Sequence, residues 1–112
     1  MPILLYVPKD KGGPYRDSTF SLPGVTKVVL TEKIRDAYIP AVFDGRVILC
    51  THGLRDRPVV LTEGGKWLNA VEFLQRYRAH FEYLKTHVKR VDLFICHTGY
   101  SGFGATFAEA AG

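Results

Sequence analysis

Two stretches decide how this chain folds: Arg46-Val47-Ile48-Leu49-Cys50-Thr51-His52-Gly53 and Val91-Asp92-Leu93-Phe94-Ile95-Cys96-His97-Thr98-Gly99. Each is a short apolar run ending in polar residues and a glycine, and one long amphipathic segment separates them. A strand covered on both faces reads as a near-continuous apolar run, and two such strands joined through a helix form a parallel pair. Their carboxyl ends then share one sheet edge, where open α/β sheets place their ligands. An imidazole, His52, and a thiol, Cys96, are expected to meet there.

Working outward, residues 3–7 are a further apolar run, stopped by Pro8, and are expected as the first strand. Residues 9–24 carry the glycines and prolines of a long loop, with a short hairpin near residues 18–22. Residues 25–30 form a β-branched strand, and Thr31 is expected to cap a short helix that runs to Ile39 and stops at Pro40. Asp44-Gly45 makes a turn, and residues 59–61, closed by Gly64-Gly65, form a β excursion above the sheet edge. In residues 69–88, Ala70, Leu74, Tyr77, Phe81, Leu84 and Val88 recur at helical spacing, and Asn69 with Glu72 supplies a capping box. Residues 99–104 are a glycine-rich loop before a terminal helix at 105–111. The alternation predicts an α/β fold, a three-layer sandwich around a small, mostly parallel sheet, with residues 1–112 as a single domain.

Bulk composition agrees. The chain has 112 residues, 46% of them hydrophobic and 23% charged, which suits one globular core and excludes disorder or a second catalytic domain. The net charge is +4, but the basic residues stand beside acids, as in Lys9-Asp10-Lys11 and Arg55-Asp56-Arg57. The densest basic cluster, at residues 85–90, falls at a helix end, where cations offset the dipole. Nucleic acid is therefore not the expected partner. Two cysteines make no disulfide framework, no signal-peptide pattern opens the chain, and no apolar stretch reaches the ~20 residues of a membrane span. A cytoplasmic protein with reduced thiols is expected.

Cysteine attacks as its thiolate, so a catalytic Cys96 needs a histidine or a helix amino terminus beside it. His52 is that histidine, and Gly53 leaves a backbone amide unshielded for an oxyanion. The plain alternative makes Cys96 a small buried hydrophobe and His52 a turn residue. Cys50, His52, Cys96 and His97 are also four soft ligands of the kind zinc accepts, although their spacing is not the usual one. The loop at 99–104 could cradle a phosphate, but it matches neither the dinucleotide fingerprint nor the P-loop. A Ser101 hydrolase fails because Phe103 stands where a glycine is required, and a cysteine phosphatase fails because residues 97–104 hold no arginine or lysine. His80 and His87 are expected on the helix surface, and Trp67, Phe73, Phe81 and Tyr83 in packing. Asp56 and Glu63 could line a pocket for a basic substrate side chain, or stand as solvated loop charges.

The run Val47 to Gly53, the glycine-bearing hairpin, the helix after it, the run Val91 to Gly99 and the following Phe107-Ala108 together resemble the caspase-like cysteine peptidases. That superfamily includes caspases, gingipains, CHAT peptidases and self-cleaving toxin domains, and the bacterial members look most similar. The likeness covers about residues 46–112. It implies that Cys96 is the nucleophile, that His52 transfers the proton, and that the amides of Gly53 and Cys96 form the oxyanion hole. Thr51 and Gly99 fall at positions that shape those turns. It also implies a protein or peptide substrate and a reaction that needs no metal or organic cofactor. Caspase-like peptidases usually continue past the helix that follows the cysteine. The substrate pocket is accordingly expected to be missing, completed by a second copy or partner chain, or built from the loop at 9–24. The competing class is a non-catalytic caspase-like binding or regulatory module that takes a nucleotide or a protein at the loop of residues 99–104.

Overall fold

The first apolar run is the strand on which the sheet is built. In the computed structural model, which describes residues 1–13, 24–34, 37–95 and 101–111, β1 (Ile3–Tyr6) lies between β2 (Thr26–Val29) and β3 (Arg46–Thr51). β6 (Arg90–Ile95) pairs with the far side of β3, so the order is β2-β1-β3-β6 with every neighbour parallel. A separate antiparallel hairpin, β4 (Val60–Leu61) with β5 (Trp67–Leu68), is the expected excursion after His52-Gly53. The parallel α/β sheet read from the sequence is what forms. No helix among the described residues is long and apolar enough to cross a membrane.

Successive side chains alternate between the two faces of a strand. Ile3, Leu5, Val47, Leu49 and Ile95 enter one core, together with buried residues of α1 (Ala70–Arg76), α2 (Arg78–Leu84) and α3 (Phe103–Ala111). Leu4, Tyr6 and Cys50 form a second buried cluster, joined by Val25 and Ile48. Both faces of β1 and β3 are thus withdrawn from water, which is why these strands carry no polar alternation.

Two local approaches require glycine. A side chain on Gly13 would overlap the Val7 carbonyl, where the chain folds back beneath the short 3-10 turn Lys9–Lys11. Gly45 has φ 84° and carries the Lys89 side chain against it, and its carbonyl accepts from the N–H groups of both Lys89 and Arg90. That second contact sets where β6 begins.

Two helices depart from the sequence reading. The single helix expected over 69–88 is two, broken at Tyr77, whose φ of -104° and ψ of 26° leave the helical region. Tyr77 is fully buried with its ring 5.1 Å from that of Phe73, and its carbonyl accepts from the His80 N–H at 3.0 Å. The tight turn rotates α2 so that His80 and Leu84 face inward, and α2 ends at Leu84, short of Val88. His80, expected on the surface, is only 1% exposed, whereas His87 is exposed as read.

The helix expected from Thr31 to Ile39 is absent among the described residues 31–34 and 37–39. Its donors are taken by side chains instead. The Thr31 N–H donates to His80 Nε2, and the N–H groups of Tyr38 and Ile39 both donate to the Tyr83 hydroxyl. Thr31 does not cap a helix; its hydroxyl donates to the Lys33 carbonyl. The hairpin read at residues 18–22 lies outside the described residues.

Candidate active site

The candidate site begins with the register of β3 on β6. Arg46 lies opposite Arg90 and Thr51 opposite Ile95, so the two strands reach the carboxyl edge on the same rung. Adjacent strands stand ~4.8 Å apart. The next residue after Thr51 is His52, which is exposed. The next after Ile95 is Cys96, which, with His97, Thr98 and Gly99, lies outside the described residues.

His52 is held through its backbone. Its carbonyl accepts from the Leu61 N–H at 2.9 Å, and the hydroxyl of Thr51, itself buried, donates to the Leu61 carbonyl. Gly53 then bridges Val60 across the same hairpin. The bond that anchors this crossing uses the carbonyl of His52, leaving the Gly53 N–H outside that bond. Thr51 therefore ties the excursion to the strand end that carries the imidazole.

Cys50, by contrast, is 2% exposed within the Leu4 and Tyr6 cluster. A sulfur so placed is shielded from reagents in water. Among the described residues no three His, Cys, Asp or Glu side chains gather as metal ligands, and Cys96 and His97 of the four-ligand reading lie outside them.

A cleft of about 720 Å³ opens at the same edge, above β1 and β2. Asp10, Thr31, Glu32, Glu63 and Arg76 line it. Arg76 has a side chain 19% exposed, with Nη2 3.2 Å from Glu32 and 4.0 Å from Glu63. Its Nε and the Tyr77 hydroxyl are buried without hydrogen-bond partners among the described residues. Burial is the main cause that pushes the Tyr77 phenol above its ordinary range, and the Glu63 carboxylate adds to it. Of the two acids singled out in the sequence, Glu63 lines this cleft and Asp56 does not, because Asp56 stays exposed in the loop before the hairpin.

Comparison with protein-family models, with curated proteins and with solved structures finds no match.

The sequence reading missed Arg76, Glu32 and His80. Arg76 and Glu32 carry no local signal, since each is an ordinary charged residue until the fold brings them together. His80 did have one. Phe73, Tyr77, His80 and Leu84 follow four-, three- and four-residue steps, the spacing of a buried helix face.

Proposed function

We propose that the protein is a cysteine endopeptidase with a caspase-like, three-layer core, in which His52 assists Cys96. One observation carries the reading: β3 and β6 are parallel neighbours that end on the Thr51–Ile95 rung, and His52 and Cys96 are the next residues of the two strands. The exposure of His52 and the burial of Cys50 add support, since the first is open to a substrate and the second is not.

In this mechanism His52 takes the thiol proton of Cys96, and the sulfur adds to the scissile carbonyl. The amides of Gly53 and Cys96 hold the oxyanion. Collapse breaks the C–N bond, His52 gives its proton to the departing amine, and a thioester remains. Water, losing a proton to His52, then adds to the thioester, and the acid and the free thiol are released. A peptide or protein in a compartment that keeps thiols reduced is the fitting substrate.

Alkylation tests it. Iodoacetamide followed by peptide mapping is expected to label Cys96 at least about tenfold faster than Cys50, and His52→Ala is expected to remove most of that advantage. Equal, slow labelling of both cysteines would instead select a non-catalytic binding module at the same edge.

A further inference from the structure

His80 is a buried histidine that the peptidase reading does not use. Its Nε2 lies 3.2 Å from the Thr31 nitrogen and its Nδ1 2.8 Å from the Tyr38 hydroxyl. An amide N–H can only donate, so Nε2 must hold a lone pair. The ring is therefore neutral, with its proton on Nδ1 and shared with Tyr38. The Tyr38 ring also packs on His80 and on Tyr83, with centroids 5.7 and 4.9 Å away. The segment after β2 thus hangs on α2 by hydrogen bonds from Thr31, Tyr38 and Ile39 to two α2 side chains.

We propose that His80 is a proton-operated latch: protonation turns Nε2 into a donor facing the donor of Thr31, releases Thr31 and Glu32, and opens one wall of the carboxyl-edge cleft. Glu32 follows Thr31 in the chain and is the closer carboxylate partner of Arg76 in that wall. Loosening the amide of Thr31 therefore acts directly on the Glu32–Arg76 pair. The inference does not depend on the peptidase reading.

The surroundings of the ring favour release over accommodation. A cavity of about 760 Å³ beside His80 is faced by Lys27 of β2, by Lys33 and Tyr38 of the following segment, and by no carboxylate among the described residues. Tyr83, on α2 itself, is already an acceptor for two backbone donors. Among the described residues, an imidazolium there meets lysines and phenols rather than an anion. Burial holds His80 below the ordinary imidazole range. The latched form thus binds its proton less readily than the unlatched one, and the latch is intact above about pH 6.5 and weakens as pH falls.

The test is an NMR titration of the full chain from pH 7.5 to 4.5, following the His80 ring nitrogens and exchange of the Thr31 amide, corrected for the intrinsic pH dependence of exchange. Thr31 opening is expected to rise about tenfold per pH unit below about 6.5, one proton being linked to the opening. The Phe73 amide in α1 is expected to stay protected. His80→Gln, which accepts but does not titrate, is expected to abolish the rise. The proposal is overturned if Thr31 stays protected while His80 titrates, if the rise survives in His80→Gln, or if His80 stays neutral to pH 4.5 in the folded chain. Should His80→Gln not fold, the Thr31 response in the unaltered protein decides alone.

Discussion

Asp92 shows what a single charge does inside an apolar run. It accepts from Arg46 Nε on the neighbouring strand and from Arg90 Nε at 2.7 Å, two residues back on its own strand. The Arg46 bond, then the Arg90 bond, draws its carboxyl below the usual range. A carboxylate whose folded pKa is lowered contributes stability above its unfolded pKa, and that contribution is lost as pH falls through the folded value. Both arginines are about half exposed or more, so the pair is screened and Asp92→Asn should cost less than about 1 kcal/mol at neutral pH. Urea unfolding is expected to show that small difference at pH 7 and none once Asp92 is protonated. The candidate site was legible at this scale where a residue closes a strand: His52 and Gly53 follow β3 as read. Asp92, Arg76 and Glu32 were not, because their partners lie far along the chain.

Among the elements, α1 is the one with the clearest written start. Asn69 Oδ1 accepts from the Glu72 N–H at 2.9 Å, and Glu72 Oε1 accepts from the Asn69 N–H at 3.0 Å. A helix of seven residues has few internal bonds, so its caps weigh heavily. Asn69→Ala is expected to lower stability by about 1 kcal/mol, read as a shift of the urea midpoint with an unchanged slope. All four strands of the parallel sheet were legible, because buried runs bounded by turn residues have few other readings. The elements misread are those in which tertiary partners outbid local bonds. Tyr77 interrupts a helix that its periodicity would continue, and His80 and Tyr83 take the donors that would have made a helix after Thr31.

For the molecule as a whole, Phe73 is the point where the helices meet. Its ring lies within 5.1–6.3 Å of those of Tyr77, Phe81, Phe103 and Phe107, joining α1, α2 and α3. Phe73→Ala should therefore cost about 3–5 kcal/mol, a large share of the stability of a domain this size, and Phe73→Leu markedly less. Thermal unfolding of the two variants beside the unaltered protein checks it. The sequence by itself determined the parallel sheet, the excursion after His52 and the cap of α1, because burial pattern, turn residues and capping chemistry act between near neighbours. Only the tertiary structure decided the break at Tyr77, the latch on His80 and the Glu32–Arg76 wall of the cleft. Each of these depends on which distant groups share one buried space, where an unpaired donor or charge costs more than a local helical bond returns.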